Sequence, residues 1–377
     1  MCYDISVSKS SFKLPEKIQL GELFSGPGGI ATGAFRAAEE LGVGIGHAWA
    51  VDYDRDSCFT YARNVLKAEG DELPESVLNK SVTDVRFGIL PEIHALAFGF
   101  PCNDFSMVGE KKGTSGDFGP LYSYGVKALK AHSPLFFVAE NVGGLRSSKT
   151  ASGESALSMI KKELEGAGRG YVVYTHYYKF EDYGVPQTRH RVILVGIRKD
   201  IAALIDYKIP APTHLGRHVS VSSALDGIIA GDPSWKNNDF TRQSAVVVER
   251  LKCIKPGENA WNSTIKDPKL RLNVKNVRMS QIYRRLHPDQ PSYTVTGSGG
   301  GGTHVYHWKE PRALTNRERA CIQTFPIEYE FYGSKESVRK QVGMAVPPRG
   351  AFVVFRSILM SFLDIPYRSV PSNMTDV

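Results

Sequence analysis

Three short segments each place reactive side chains at the end of an apolar run. In the first, Gly99-Phe100-Pro101-Cys102-Asn103-Asp104-Phe105-Ser106, a cysteine stands beside a proline just past the apolar run at 93–99. A thiol at such a strand end faces the cleft. It is only a few per cent ionised at neutral pH, yet strongly nucleophilic. In the second, Glu140-Asn141-Val142 closes the run Leu135-Phe136-Phe137-Val138-Ala139. A carboxyl group there is expected to be partly desolvated, which raises its pKa and favours a protonated, donor-capable form. In the third, Gln187-Thr188-Arg189-His190-Arg191 opens a further strand. Alternate residues share a face, so Arg189 and Arg191 are expected to point the same way. Two guanidinium groups can grip a carbonyl oxygen and hold thiol and carboxylate in place. A purely structural ion pair between Glu140 and the arginines is the competing reading.

A fourth segment suits a ligand. Leu23-Phe24-Ser25-Gly26-Pro27-Gly28-Gly29 joins an expected strand to an expected helix. Glycines let a ligand approach the backbone beside the positive end of the helix. Nucleotide-like cofactors bind at this place in an α/β sheet. The turn does not spell the dinucleotide fingerprint, which disfavours NAD. Asp52 ends the next strand and can accept both ribose hydroxyls; the Tyr53 ring can lie on adenine. Asp84 is placed to meet the adenine amino group.

The elements that must position these residues alternate. Strands are expected at 18–25, 47–52, 93–99, 135–140, 171–180 and 190–197, and helices at 29–41, 54–67, 122–131 and 155–164. That alternation predicts parallel pairing in a doubly wound, mostly parallel α/β sheet. After residue 197 the periodicity dissolves into Pro, Gly, Ser and Asn. It returns with helices at 315–324, 338–342 and 349–363. The expected division is therefore a catalytic and cofactor-binding domain over 1–197, a smaller irregular domain over 198–310, and a return to the first domain over 311–377.

The chain has 377 residues and a formal net charge of +8. Residues 198–310 hold 17 Lys/Arg and 10 Asp/Glu, or +7, leaving +1 for the remainder. Within them, residues 252–285 carry nine basic and two acidic side chains. A basic surface of this kind attracts a polyanion, and Arg284 and Arg285 are expected to meet one. The run of glycines at 299–302, beside basic residues and Thr294, reads as a phosphate-approach segment in preference to a flexible linker. No run approaches the roughly 18 apolar residues that span a bilayer, so no membrane partner is expected. The five cysteines form no CxxC pair. No metal site or disulfide framework is expected, and the setting is read as reducing and cytoplasmic. Apart from Cys102, the cysteines are expected to be buried and inert.

Together these residues resemble the cytosine-5 DNA methyltransferases, especially the bacterial restriction–modification type. Phe24 to Gly29 is similar to that family's cofactor turn, Pro101-Cys102 to its catalytic dipeptide, and Glu140-Asn141-Val142 and Gln187 to Arg191 to its next two blocks. Arg312-Ala313-Leu314-Thr315-Asn316-Arg317-Glu318 with Gln323-Thr324-Phe325-Pro326, and Gly343-Met344-Ala345-Val346-Pro347, are similar to its last two. Six motifs in register span about residues 18–363.

The resemblance implies the S-adenosylmethionine-dependent methyltransferase fold, with S-adenosyl-L-methionine as donor and S-adenosyl-L-homocysteine as product. It implies a target-recognition role for residues 198–310. The target would be a cytosine flipped from double-stranded DNA, attacked at carbon 6 by Cys102 and methylated at carbon 5. Glu140 would hold the ring nitrogen and exocyclic amine, and Arg191 the carbonyl. Pro101, Leu121 and Val346 would line the cofactor site; Ser106 and Thr294 would contact DNA. The chain would act as a monomer in a bacterial cytoplasm, on nucleoid DNA. A cognate restriction endonuclease acting separately stays open. Met344 departs from the asparagine common in the last block. The competing readings are an RNA cytosine-5 methyltransferase, a catalytically dead DNA-binding paralogue and an NAD dehydrogenase.

Overall fold

The computed structural model describes residues 12–100, 121–149, 153–272, 281–300 and 302–374. Seven of its strands form one sheet: β1 (Lys17–Leu23), β2 (Gly44–Asp52), β3 (Val77–Asn79), β4 (Ala95–Gly99), β5 (Phe136–Val142), β6 (Tyr171–Lys179) and β7 (His190–Arg198). The order is β3-β2-β1-β4-β5-β7-β6. The first five run parallel, as expected of buried apolar strands joined through helices. β7 departs from the parallel expectation: it lies antiparallel between β5 and β6. Only a short 3-10 turn, Phe180–Tyr183, lies between β6 and β7. That connection is too short for the crossover a parallel pair requires. The three-residue β3 was absent from the sequence reading.

Helices cover both faces. On one lie α1 (Gly29–Leu41), α2 (Arg55–Val65) and the long C-terminal helix; on the other lie α3 (Tyr122–His132) and α4 (Ala156–Glu165). Three more helices, α5 (Ala245–Lys252), α6 (Asn316–Ile322) and α7 (Lys335–Met344), precede that long C-terminal helix, α8 (Pro348–Phe362), with single turns elsewhere. α8 is apolar on nearly every side because nearly every side is covered. A Cβ at Gly33 of α1 would collide with the Pro348 carbonyl, so the two helices pack backbone to backbone.

Past β7, Tyr207 and Ile209 still belong to the main core, and Ile209–Pro210 pairs with Ser369–Val370. Two further apolar clusters follow. One joins Val221, Leu286, Val295 and Val305 to Leu314, Phe325 and Val342; the other gathers Leu251, Ile254, Ile282, Tyr306 and Ala313. Both clusters take residues from either side of residue 310.

Candidate active site

The cofactor turn follows from β1. Phe24 leaves the strand at φ 54°, an uncommon conformation for a non-glycine residue, and Gly26 and Gly28 follow at φ 52° and 91°. A Cβ at Gly28 would collide with Val65, and one at Gly29 with the Val346 carbonyl, so these positions exclude side chains. The turn is tied to the next strand end: the Gly26 amide donates to Asp52 Oδ2 at 2.7 Å and the Asp54 amide to Oδ1 at 2.9 Å. Burial pushes the Asp52 carboxyl pKa up, and those two amides oppose the shift.

Tyr53, next along, is 65% exposed. Lys340 of α7 reaches back across the chain to donate to Asp54 Oδ2 at 3.1 Å, and its ammonium lies 5.4 Å from the Tyr53 ring centre. Sequence reading missed Lys340, because nothing local links residues 54 and 340. It also missed Glu22. This β1 carboxyl is buried under the turn, accepts from the Tyr61 phenol at 2.7 Å, and has its pKa pushed up to about 7 by burial. Tyr61 in turn meets His47 at 3.1 Å.

The strand ends of β4 and β5 bring up the second group. Gly99 is in register with Glu140, and Val142 with Arg191. Glu140 and Arg191 are thus diagonal neighbours on one face of an antiparallel pair. They form an ion pair, Arg191 Nε to Glu140 Oε1, at 2.6 Å; the Nε–H is not aimed along the contact, and Arg191 Nη1 donates to the His190 carbonyl at 2.8 Å. The fully buried Asn141 amide donates to the Phe100 carbonyl at 2.9 Å, fixing the last described residue before Pro101 and Cys102. Pro101, Cys102 and Ser106 lie outside the described residues.

One cavity of about 740 Å³ joins both groups. Phe24, Ser25, Gly26, Gly29, Asp52, Tyr53 and Val346 line it with Glu140, Arg189, Arg191 and Thr294. The volume suits a nucleoside-sized ligand with a further group beside it. The Ser25 hydroxyl, buried in this wall, has no hydrogen-bond partner among the described residues. With Asp52 and the open Tyr53 ring it meets the demands of an adenosyl cofactor: a lone donor, a carboxylate for vicinal hydroxyls and a face for a base.

Several expectations change. Arg189 is only 2% exposed and, although it lines the same cavity as Arg191, spends donors on the backbone. Its Nη1 donates to the Val295 and Gly343 carbonyls at 3.2 and 3.0 Å, tying the segment around residue 295 to that around residue 343. Arg285 is 6% exposed and donates to the carbonyls of Leu251, Ile254, His307 and Trp308, so four of its five N–H groups are spent on the backbone. Arg284 is half-buried with its guanidinium over the Tyr293 ring. Asp84 is exposed on a 3-10 turn, and neither it nor Leu121 nor Gly28 lines the cavity. The Thr294 hydroxyl donates to the Thr188 carbonyl at 2.6 Å. Cys253 is exposed, against expectation, whereas burial holds the Cys58 and Cys321 thiols up at about 12 and 11. Among the described residues no group of His, Cys, Asp and Glu is placed to hold a metal ion.

Comparison with known proteins agrees with this geometry. Residues 18–360 match the model of the C-5 cytosine-specific DNA methylase family. The chain is 53% identical to the type II methyltransferase M.BbvI of Brevibacillus brevis, over 94% of each chain. It is 36% identical to M.NgoFVII of Neisseria gonorrhoeae, over 92% of this chain and 88% of that one. Among solved structures, an E. coli prophage protein described as a DNA modification methyltransferase superposes with TM-score 0.67 at 22% identity, over 92% of this chain and 99% of that one. Spodoptera frugiperda DNMT2 does so with TM-score 0.60 at 13% identity, over the same shares. These last two speak for the fold alone.

Proposed function

The chain belongs to the C-5 cytosine-specific DNA methylase family, and from that premise we propose how its own residues divide the work. It is a DNA (cytosine-5-)-methyltransferase of the type II restriction–modification kind and uses S-adenosylmethionine. The donor supplies an electrophilic methyl group when bound. Ser25, Gly26, Asp52 and Tyr53 hold its adenosyl part, and Val346 closes the wall opposite Gly29.

Carbon 5 of cytosine is a poor nucleophile. Cys102 adds its thiolate to carbon 6, which makes carbon 5 electron-rich. Glu140 grips the ring nitrogen and exocyclic amine, and Arg191 holds both Glu140 and the cytosine carbonyl. Once carbon 5 has taken the methyl group, loss of its proton to water restores the ring double bond and expels Cys102. A stacked base hides carbon 6, so the target must leave the duplex, at a cost of a few kcal/mol. The observation that carries this reading is the shared cavity: the Glu140–Arg191 pair faces the same space as Ser25, Asp52 and Tyr53.

Residues 198–310 read the target. The enzyme works as a monomer in the cytoplasm on nucleoid DNA, separately from any cognate endonuclease. Bisulfite sequencing of DNA from cells expressing the protein tests this. One short sequence context should contain a cytosine that resists conversion. Unprotected DNA together with labelled transfer RNA would replace the DNA reading with an RNA one.

A further inference from the structure

Beside the cavity, two arginines far apart in sequence lie under one short segment. Residues 296–300 leave the cavity wall, to which Thr296 and Gly297 contribute. Arg319 of α6 is fully buried beneath them. Its Nη1 donates to the Thr296 carbonyl at 3.3 Å, while Nε and Nη2 are buried without a partner among the described residues. Arg339 of α7 lies against Gly299 so closely that a Cβ there would collide with its guanidinium, and its Nε is likewise buried and unpartnered. Among the described residues the carboxylate at hand is Glu336, 3.8 Å from Arg339 and itself 74% exposed.

Among the described residues the surroundings supply no other negative charge. Burial holds the Tyr293 phenol neutral, and it donates to the Arg284 carbonyl. His304 is pushed down to about 4 by burial and by the two arginines, so it is neutral. Burial, and then Arg339, bring Arg319 down to about 10, still charged at neutral pH. One buried and one half-buried cation, with N–H groups unpartnered among the described residues and a single long, exposed ion pair to Glu336, are a costly arrangement in a protein standing alone. The same arrangement is complementary to a phosphodiester, which offers a charge and acceptor oxygens in the plane a guanidinium fork fits. The roof adds donors: the exposed Thr296 and Ser298 hydroxyls meet at 2.8 Å, and glycines at 297, 299 and 300 leave it thin.

We propose that Arg319 and Arg339 form a phosphodiester site beneath residues 296–300 that holds one backbone phosphate of the bound DNA beside the extruded cytosine. The proposal rests on the DNA methyltransferase reading and adds to it two residues outside the family motifs quoted above. Arg339, with 11% of its side chain exposed, stands at the rim. Arg319 lies behind it, under the Thr296 carbonyl and with Nη2 unpartnered among the described residues, and adds its charge to the site.

The test uses the full chain and duplexes carrying the sequence that bisulfite mapping identifies. One phosphate at a time around the target cytosine is replaced by a neutral methylphosphonate. At one position the replacement should weaken wild-type binding about tenfold. It should cost Arg339→Gln and Arg319→Gln less than about twofold, and each variant should lose about one unit from the slope of log affinity against log salt. Retained S-adenosylmethionine binding shows that a variant is folded. Arg339→Gln, altered at a partly exposed position, keeps the test open if Arg319→Gln fails to fold. Full methylphosphonate sensitivity with an unchanged salt slope in Arg339→Gln overturns the site. So does a wild-type stabilisation by inorganic phosphate that the variants lose while keeping the wild-type DNA slope, since the anion is then free phosphate. A wild-type protein that transfers no labelled methyl to duplex DNA would instead overturn the activity itself.

Discussion

The two walls of the cavity are built by opposite rules. On the cofactor side polar groups face the space they serve. Ser25, Asp52 and Tyr53 line the cavity, and they are held by neighbours in sequence through the amides of Gly26 and Asp54. On the target side many of the arginines turn away from it. Arg285 binds four carbonyls, Arg189 ties residues 295 and 343, and Arg317 holds the carbonyls of Lys236 and Tyr329. The cause is the scarcity of regular structure there. Every buried carbonyl needs a donor. Where no ladder or helix supplies one, a guanidinium with five N–H groups does. Net charge therefore overstates the surface a basic region offers to phosphate. Among the described residues of 252–285, the exposed cations are Lys252, Lys255, Lys266, Lys269 and Arg271.

The largest expected effect is at the proposed nucleophile. Cys102→Ala should abolish methyl transfer while S-adenosylmethionine still binds, read by transfer of labelled methyl and by calorimetry. Turnover at the wild-type rate would remove the covalent step. Glu140→Gln should lower kcat about 10²–10³-fold with little change in DNA affinity. An equal loss in affinity would make Glu140 a binding residue and blur the contrast between the walls.

Arg285 tests the inward-facing rule. Arg285→Leu strands four carbonyls, and the protein should lose about 4 kcal/mol of stability to urea. The salt dependence of DNA binding in the surviving folded protein should not change. Reversing Lys255, Lys266 and Lys269 to Glu should do the opposite: stability stays within about 0.5 kcal/mol per site and the salt slope flattens. If Arg285→Leu flattens the slope instead, the distinction between inward and outward cations fails.

Much of the cofactor wall was legible in the sequence because its logic is local. Apolar runs ending in Gly26, Asp52 and Glu140 mark strand ends, and a strand end is where an α/β sheet presents side chains. α1 was expected at 29–41 and lies there. The Glu140–Arg191 pair also followed from strand-end position. The rest was not legible for definite reasons. β3 is three residues long, too short for periodicity to register. The orientation of β7 depends on its partners. Arg189's backbone contacts were not foreseen, because alternation tells which face a residue takes but not that carbonyls from residues 295 and 343 wait there. Arg285 was misjudged because charge counts carry no direction. Lys340, Arg319 and Arg339 act across hundreds of residues or across an irregular segment, and no spacing rule reaches them.

Glu22 extends the comparison to pH. Its carboxyl is fully buried with a folded-state pKa of about 7 against an ordinary 4.5, so folding favours its protonated form. The sign follows by linkage. Below the unfolded value both states are neutral and burial costs nothing electrostatic. As pH rises through about 4.5 to 7, the unfolded state ionises first and stability falls. Relative to Glu22→Gln, the wild type should therefore lose up to about 3 kcal/mol between pH 4.5 and pH 8.5 in urea titrations. A parallel pair of stability curves would show that the carboxylate is not desolvated beneath the turn.

The smallest expected effect is at Tyr53, and it separates a stacking face from a structural one. The ring is 65% exposed, so Tyr53→Ala removes little packing and should leave folding stability within about 0.5 kcal/mol. If adenine lies on that face, S-adenosylmethionine binding should weaken about tenfold, as loss of an aromatic contact does, while Tyr53→Phe keeps nearly all of it. Lys340 stands over the same ring and pairs with Asp54. Lys340→Met should then weaken the donor only about two- to threefold, since it orients the wall without forming it. Equal losses from Tyr53→Ala and Lys340→Met would mean that the cation, and not the ring, meets the cofactor. The cofactor wall would then depend on a contact nearly three hundred residues distant, as the target wall does.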